Sequence, residues 1–283
     1  MPASPDRRAV LQLNRRTYAA ILLGVALVVV ALAVLARRSP AGAIILAAQK
    51  PARQMRVEVV ASYPHDRRAF TQGLLYHDGV LYESTGLEGE STLRRVDLTT
   101  GRVLQNVALA SNLFAEGLAL TPEGFVQLTW QNDTGFVYDP ATLAQRRQFT
   151  YSADGWGLCF DGTSLVMTDG SDTLAFRAPD TFAVQRKVRV VMDGTPLRSI
   201  NELECANGSV YANVWHRTFI VRIDPATGLV LERIEAAGLL TGSEADGADV
   251  LNGIAYDPAD GTFYITGKRW PKLFKVRFVP AGT

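Results

Sequence analysis

Thr71-Gln72-Gly73-Leu74 is the first of five short segments that align along the chain, each at the start of a repeating unit. The other four are Ala115-Glu116-Gly117-Leu118, Gly155-Trp156-Gly157-Leu158, Ile200-Asn201-Glu202-Leu203 and Leu251-Asn252-Gly253-Ile254. They recur every ~40–50 residues, which is the period of the blades in a β-propeller. The repeat therefore predicts an all-β fold, a five-bladed β-propeller in which each segment begins the innermost strand of a blade.

Further β-strands are predicted within each unit, separated by residues that form turns. The second strands are predicted over Val80–Glu83, Phe125–Leu128, Leu165–Met167, Val210–Asn213 and Phe263–Ile265. Third strands end in turns such as Ile223-Asp224-Pro225-Ala226-Thr227-Gly228, whose residue types are common between strands. Fourth strands are predicted over stretches such as Ala144–Thr150. A β-sandwich with segments that are similar by chance is the alternative, and five segments in register favour the propeller.

The last unit ends near Val279 after three predicted strands, so it lacks the fourth strand of its blade. The stretch Arg56–Ser62, which precedes the first unit, has the alternating pattern of a β-strand. We expect this stretch to supply the missing outer strand. That pairing would close the ring and remove an exposed sheet edge.

The N-terminus differs in composition from the repeats. Four arginines between residues 7 and 16 precede an uncharged apolar run from Tyr18 to Ala36. The run has nearly the ~20 residues that span a bilayer as a helix, and positive charge in front of it keeps the N-terminus cytoplasmic. We therefore divide the chain into a cytoplasmic basic segment (1–16), a transmembrane signal-anchor helix (17–38), a linker (39–55) and an exported propeller catalytic domain (56–280).

The expected location of the propeller is the periplasmic, extracytoplasmic face of the inner membrane, to which residues 17–38 anchor it. A cleaved signal peptide is the alternative. Arg37 and Arg38 directly follow the apolar run, and the run is long for a signal peptide, so we favour an uncleaved anchor.

Composition excludes several functions for the repeat region. The chain has 29 Lys and Arg against 28 Asp and Glu, without the basic stripe that a nucleic-acid partner requires. Cys159 and Cys205 are too few for a disulfide scaffold, and we expect both to be free thiols in the core, with a disulfide between them as the less favoured alternative. The three histidines are scattered without metal-ligand spacing, so neither a metal nor a cofactor is expected. A structural Ca²⁺ in the Asp-rich turns stays open.

Two sets of side chains are predicted to converge on one face of the ring. Strand two of each blade is antiparallel to strand one, so its end lies on the same face as the start of strand one. The starts of the first strands carry Gln72, Glu116, Trp156, Asn201 and Asn252, and the ends of the second strands carry Thr85, Trp130, Asp169, Trp215 and Lys268. Aromatic rings with a few convergent polar groups are typical of a small-molecule or peptide-terminus site. We therefore expect Asn252, like Gln72 and Asn201, to bind the substrate.

Each of these residues also has a structural interpretation. The tryptophans could pack between blades, the amides could bond backbone groups at strand ends, and Asp169 is most simply a turn residue. Glu116 is the hardest to explain in this way, because a carboxylate surrounded by Phe114 and tryptophans is unfavourable unless it is used or paired. Lys268 could be the salt-bridge partner of Glu116.

The motifs in these units resemble a known family, the plant- and bacterial-type glutaminyl-peptide cyclotransferases. The resemblance covers residues 62–277 and rests on motifs such as Tyr63-Pro64-His65-Asp66, Phe70-Thr71-Gln72-Gly73-Leu74, Leu128-Thr129-Trp130, Tyr211-Ala212-Asn213-Val214-Trp215 and Thr266-Gly267-Lys268-Arg269-Trp270-Pro271. It implies a five-bladed propeller and a catalytic carboxylate at Glu116. It also implies a substrate pocket lined by Phe70, Gln72, Phe114, Trp130, Trp156, Asn201, Trp215 and Lys268.

The reaction that the resemblance implies is an acyl transfer within one molecule. The α-amine of an N-terminal glutamine attacks its own γ-carboxamide, forms pyroglutamate and expels ammonia. Glu116 would move the protons, while Lys268, or else the amides of Gln72 and Asn201, would stabilise the oxyanion. The expected partners are peptides or proteins with N-terminal glutamine, and the enzyme is expected to be a monomer.

Two functions from other classes compete with this hypothesis. One is a non-catalytic periplasmic propeller that binds a peptide or sugar on its aromatic rim. The other is a Ca²⁺-dependent propeller hydrolase of the lactonase kind, which needs more carboxylates than this rim offers.

Overall fold

The computed structural model of the chain describes residues 50–282, which form an all-β fold. The predicted cytoplasmic segment 1–16, the predicted anchor 17–38 and the predicted linker up to residue 49 lie outside the described residues. Within residues 50–282, the structure contains no helix of the length and apolar character that crossing a membrane requires. The helical element described in this range is a short 3-10 helix, Gly242–Glu244.

The strands follow the order and grouping of the repeat. Strand β1 (Arg53–Pro64) comes first. The first group is β2 (Thr71–His77), β3 (Val80–Thr85), β4 (Thr92–Asp97) and β5 (Val103–Ala108), and the second is β6 (Ala115–Thr121), β7 (Gly124–Thr129), β8 (Thr134–Tyr138) and β9 (Gln145–Thr150). The third is β10 (Leu158–Phe160), β11 (Leu165–Met167), β12 (Thr173–Arg177) and β13 (Val184–Arg189), followed by a hairpin of β14 (Val191–Met192) and β15 (Thr195–Pro196). The fourth is β16 (Ile200–Ala206), β17 (Ser209–Val214), β18 (Phe219–Ile223) and β19 (Val230–Glu235), and the fifth is β20 (Leu251–Asp257), β21 (Thr262–Gly267) and β22 (Lys272–Pro280).

Each of the first three groups forms its own four-stranded antiparallel sheet, with its strands in chain order. Strand β1 pairs antiparallel with β22, which confirms that a strand before the first unit completes the last one. Its first residues, Arg53 to Arg56, also pair parallel with β19. This second pairing joins the fourth and fifth groups into one eight-stranded sheet.

The predicted start of the domain at residue 56 is three residues too late. Strand β1 begins at Arg53, inside the predicted linker. Met55 is buried and lies opposite both Ile234 and Pro280, so the packing of its side chain extends the strand.

The first strands of the groups contact one another in a closed series. Strand β2 contacts β6, β6 contacts β10, β10 contacts β16, β16 contacts β20, and β20 contacts β2 again. Glu202 on β16 adds a link across this series, because its carboxyl group accepts the backbone N–H of Leu74 (3.2 Å) and of Ile254 (2.8 Å). The apolar core lies between neighbouring sheets. Tyr82 and Leu93 of the first group, for example, pack with Phe125 of the second.

Cys159 on β10 and Cys205 on β16 form a disulfide, so the prediction of two free thiols is wrong. The two cysteines are 46 residues apart in sequence, but β10 and β16 are neighbouring first strands. Their Cα atoms are 5.4 Å apart, within the range that a disulfide spans. A sequence separation of this length carries no sign of such proximity.

The predicted turns between strands are confirmed, and aspartates stabilise them. The Oδ1 atom of Asp97 accepts the backbone N–H of Thr100 at 2.8 Å, and that of Asp139 accepts the N–H of Thr142 at 2.8 Å. These hydrogen bonds and those from threonine hydroxyls lower the pKa of both aspartates to about 2. Asp224 makes the equivalent contact with the N–H of Thr227.

Candidate active site

A cavity of about 240 Å³ lies where the starts of the first strands meet the ends of the second strands. Ten residues were predicted to act on or bind the substrate, and the lining includes all of them except Asn252, together with two residues that the sequence analysis missed. The lining residues are Phe70, Gln72, Phe114, Glu116, Trp130, Trp156, Asn201, Trp215, His216, Asp249 and Lys268. The predicted convergence of the two sets on one site is therefore confirmed for most of their members.

Irregular strand pairing places the polar residues of the first set. The register between first and second strands shifts between Thr71 and Gly73, between Ala115 and Leu118, and again near the starts of β16 and β20. The residues inside these shifts include Gln72, Glu116, Asn201 and Asn252. A β-bulge changes the direction of the side chain it carries. The same local irregularity thus recurs at the polar positions of four groups.

Glu116 is the buried acid of the site. Its side chain is 5% exposed, and its Oε1 accepts a hydrogen bond of 2.9 Å from Nε2 of Gln72. The Oε2 atom is also buried and has no hydrogen-bond partner. Burial raises the pKa of Glu116 well above its ordinary value, against the opposing effect of the positive charge of Lys268. Glu116 therefore holds a proton more tightly than an ordinary carboxyl group does.

Lys268 is the buried base of the same cavity. It is 5% exposed, and its Nζ lies 4.7 Å from the centre of the Phe70 ring in a cation–π contact. Burial lowers the pKa of Lys268, while the charges of Glu116 and Asp249 act to raise it. The charges of the two side chains act on each other's pKa, but the structure shows no ion pair between Glu116 and Lys268, so it does not support the alternative of a structural salt bridge.

Aromatic rings form the two walls of the cavity. On one side Phe114 packs edge-on against Phe70 (6.1 Å between ring centres) and Trp130 (5.7 Å). On the other side Trp156 packs edge-on against Trp215 at 5.6 Å. Trp130 and Trp215 are 38% and 40% exposed, which is high for large apolar side chains and places them at the opening of the cavity. The walls are apolar, and a ligand can still reach them.

Comparison with known proteins shows the family to which the chain belongs. The family model for glutamine cyclotransferases matches residues 26–278. The chain belongs to the glutamine cyclotransferase family. It is 44% identical over 230 residues to a glutaminyl-peptide cyclotransferase of Arabidopsis thaliana, covering 80% of this chain and 72% of that protein. The crystal structure of Myxococcus xanthus glutaminyl cyclase matches with a TM-score of 0.74 and 42% identity, over 82% of this chain and all of the other.

Asn252 is the one predicted substrate-binding residue that does not line the cavity in this family member. It is fully buried, and its Nδ2 donates to the backbone oxygen of Thr71 (2.9 Å) and to Oε1 of Gln72 (3.3 Å). Because Gln72 in turn donates to Glu116, Asn252 fixes the orientation of the Gln72 amide. The prediction of direct substrate contact is therefore corrected to a supporting position behind Gln72.

Two members of the second predicted set also lie elsewhere. Thr85 is buried and bonds the hydroxyl of Thr92, whereas the next residue, Gly86, is the structural equivalent of Trp130, Trp215 and Lys268. Each of these four residues donates its backbone N–H to a backbone carbonyl oxygen near the start of the first strand in its group. The accepting residue lies two positions before Gln72, Glu116, Asn201 or Asn252, respectively. Asp169 accepts the N–H of Ser171 (3.0 Å) in a turn, which confirms its structural interpretation.

His216 and Asp249 are the lining residues that the sequence analysis missed. The imidazole of His216 packs at a tilt against Trp215, with 4.1 Å between ring centres, and His216 itself has a positive φ of 59°. Asp249 is held by backbone bonds to Lys268 on one side and to the indole N–H of Trp270 on the other. Neither residue belongs to an aligned motif position, so the repeat could not indicate them.

A buried charge network supports the loop that carries Lys268. His65 bonds Oε1 of Glu83 through Nε2 (3.0 Å) and the backbone oxygen of Trp270 through Nδ1 (2.8 Å). The hydroxyl of Thr71 donates to the same Glu83 oxygen at 2.7 Å. The network thus ties strand β2 to the segment directly after Lys268. It holds two parts of the site in fixed relation.

The residues that the structure describes offer little for a metal ion. Among residues 50–282, no three His, Cys, Asp or Glu side chains are grouped as metal ligands. Within the cavity the donors are the buried carboxyl of Glu116 and, at its opening, Asp249 and His216. The cavity thus combines a carboxyl group with a raised pKa (Glu116), an amine with a lowered pKa (Lys268) and aromatic walls.

Proposed function

We propose that this protein is a glutaminyl-peptide cyclotransferase, which converts the N-terminal glutamine of peptides and proteins to pyroglutamate with release of ammonia. Membership of the family supports this activity. The observation that carries the residue assignment is the buried, unpaired Oε2 of Glu116, at an aromatic cavity that Lys268 also lines.

The size of the cavity suits the proposed substrate. Its volume of about 240 Å³ is below the ~300–1,000 Å³ of cavities that hold drug-sized ligands. A single glutamine residue is a ligand of the appropriate size. The aromatic walls would hold its side chain folded back towards its own amine, and this proximity supplies a large part of the rate enhancement.

Glu116 is the proposed proton carrier. The carboxylate takes a proton from the α-amine as the nitrogen attacks the γ-carbonyl carbon and the new C–N bond forms. The same carboxyl group then protonates the departing NH₂, so that the old C–N bond breaks and ammonia leaves. The hydrogen bond from Gln72 holds Oε1, which leaves Oε2 for the substrate. General acid–base catalysis of this kind contributes about 10²–10⁴ in rate.

Lys268 is the proposed stabiliser of the oxyanion that forms on the γ-carbonyl oxygen. Its ammonium group is held by the Phe70 ring at the same cavity, without an ion pair to Glu116. Asn201 is the second candidate, because it lines the cavity and is 3% exposed. Charge stabilisation by such buried donors is strong because little water competes.

We propose that the all-β fold is, more specifically, a five-bladed propeller. Three observations support it: the five groups of strands, the closed series of contacts between their first strands, and the core clusters between neighbouring groups. In this arrangement β1 serves as the outer strand of the fifth blade.

We also propose that the domain is a monomer on the extracytoplasmic face of the inner membrane, anchored by residues 17–38. The arginines before the apolar run support this topology. The disulfide between Cys159 and Cys205 supports export, because disulfides persist mainly in oxidising compartments outside the cytoplasm.

Replacement of Glu116 tests the proposed function. With the soluble domain from residue 50 and a Gln-Gly peptide, we expect Glu116→Gln to lower kcat for ammonia release at least about 100-fold. Glu204→Gln is the matched control, because Glu204 is another glutamate with a raised pKa on a first strand, is half-buried, and lies outside the active-site cavity. Near wild-type turnover by the folded Glu116→Gln protein would exclude the assigned role. Binding without turnover by the wild-type protein would favour a non-catalytic propeller.

A second test addresses metal dependence. We propose that the reaction needs no metal or other cofactor, since hard cations prefer several oxygen ligands and the cavity offers few. Overnight incubation with EDTA should therefore leave the rate of ammonia release unchanged. Loss of activity that Zn²⁺ restores would contradict this proposal.

A further inference from the structure

A second cavity borders the candidate active site and offers a place for the rest of the substrate. It has a volume of about 300 Å³ and lies between the residues after Trp215 and the segment 236–251. His216 and Asp249 line both cavities, so they form a common wall. A cavity on another side, lined by residues such as Asp169 and Arg177, shares no lining residue with the active site.

The lining of this second cavity is mainly apolar. Its apolar members include Ala236, Leu239, Leu240, Ala248, Leu251 and Trp270. Leu239 and Leu240 are half-buried and pack against the core cluster that contains Trp270 and Leu251. An apolar side chain that entered here would leave water for a largely hydrocarbon environment, which is favourable in proportion to the area buried.

Contacts on several sides hold the segment that forms the cavity. The indole N–H of Trp270 donates to the backbone oxygen of Asp249 at 2.8 Å, and the N–H of Asp249 donates to the backbone oxygen of Lys268 at 2.9 Å. Glu244 caps the short helix through Thr241 and forms an ion pair with Lys272. A pre-formed site of this kind loses little conformational entropy on binding.

We propose that this second cavity is a subsite for an apolar side chain within the first two residues after the N-terminal glutamine of the substrate. The proposal rests on the proposed cyclotransferase function. The active-site cavity has room for one residue, so the following residues must leave through its opening. An extended peptide advances ~3.3–3.6 Å per residue, and side chains two residues apart point the same way. A glutamine bound in the first cavity thus presents the third residue towards a cavity that shares its wall.

Kinetics with three peptides test the subsite in the wild-type domain. The peptides are Gln-Gly-Gly-NH₂, Gln-Leu-Gly-NH₂ and Gln-Gly-Leu-NH₂, and the readout is kcat/KM for ammonia release. We expect the better leucine peptide to exceed the all-glycine peptide about 10-fold. The difference should lie mainly in KM, because the contact is remote from the reacting atoms and is similar in the ground and transition states.

Variants of Leu240 test whether the second cavity causes the preference for the leucine peptides. Leu240→Asp should reduce the ratio between the leucine and glycine peptides to about one, and Leu240→Ala provides a milder change if the aspartate variant does not fold. Leu231→Asp is the matched control, because Leu231 is an exposed leucine on β19 away from either cavity, and it should keep the wild-type ratio.

Two outcomes would overturn the subsite and leave the proposed function intact. One is ammonia release at the same kcat/KM from all three peptides, and the other is a leucine preference that survives in the folded Leu240 variants. Absence of ammonia release from every glutamine peptide would instead refute the proposed function itself, and the subsite with it.

Discussion

Glu116 and Lys268 lie at the same small cavity, and burial moves the pKa of both towards neutrality from opposite sides. Burial raises the pKa of Glu116, and the charge of Lys268 partly offsets that rise. Burial likewise lowers the pKa of Lys268, against the charge of Glu116. The reactive form in our mechanism has a deprotonated Glu116 and a protonated Lys268. Activity should therefore appear as Glu116 loses its proton and decline as Lys268 loses its own.

Replacement of Lys268 tests this coupling. In Lys268→Met the positive charge that lowers the pKa of Glu116 is gone, so the acid limb of kcat/KM should move to higher pH and the alkaline limb due to Lys268 should disappear. If Lys268 also stabilises the oxyanion, the plateau of kcat falls about 10²–10³-fold. In Lys268→Arg the acid limb should stay in place, because the charge remains. The same peptide is used throughout, so that the substrate amine contributes equally to every profile. Identical pH profiles for Lys268→Met and the wild type would contradict the coupling.

The sequence predicted individual site residues well where they occupy a position that aligns between the repeating units. Glu116, Trp130 and Lys268 were predicted because each occupies the same place in its unit as other polar or aromatic residues. His216 and Asp249 lie beside aligned positions, and they line the cavity because of local backbone geometry. Asn252 was placed in the correct group of strands, but its amide bonds Thr71 and Gln72 instead of lining the cavity, and alignment gives no information on such contacts.

At the scale of strands, the site depends on irregularities of pairing that repeat from group to group. The register shifts at the starts of the first strands place Gln72 and Glu116 at the cavity. The sequence predicted the strands closely, such as β11 over Leu165–Met167, because alternation and turn residues mark them. It did not predict the shifts, since a bulge is decided by packing against the partner strand.

Gly86 shows how a missing side chain shapes the cavity. A Cβ atom at this position would lie 2.7 Å from Cζ of Phe114 and also clash with Cε1, so the ring could not remain where it packs against Phe70 and Trp130. We expect Gly86→Ala to lower kcat/KM about 10-fold and to destabilise the fold by about 1–3 kcal/mol, as overpacking usually does. Enzyme assays and urea unfolding measure the two effects.

A second substitution distinguishes this steric cause from a general effect of the glycine. In Gly86→Ala with Phe114→Leu, the smaller side chain makes room for the new methyl group. The loss of unfolding free energy in the double variant should therefore be smaller than the sum of the two single losses. Additive losses would show that Phe114 is not the group that Gly86 accommodates.

At the scale of the whole molecule, closure of the repeat depends on both ends of the described chain. The sequence predicted that a strand before the first unit pairs with the last one, because the last unit visibly lacks a strand. It did not predict that β1 also pairs with β19 and so unites two groups in one sheet. That contact brings residues 53–56 next to residues 232–235, and the sequence of neither stretch contains a pattern that predicts the pairing.

The disulfide is a second long-range link, and it should act on stability rather than on chemistry. It joins β10 to β16 beside a cavity lined by Leu75 and Leu118, which shares no lining residue with the active site. We expect the Cys159→Ser, Cys205→Ser double variant to lose about 2–4 kcal/mol of unfolding free energy and to keep the kcat of the wild type. Urea unfolding with and without a reducing agent measures this: reduction should destabilise the wild type to the level of the double variant and leave that variant unchanged. Equal stability of the oxidised wild type and the double variant would mean that the strand contacts alone hold these two groups together.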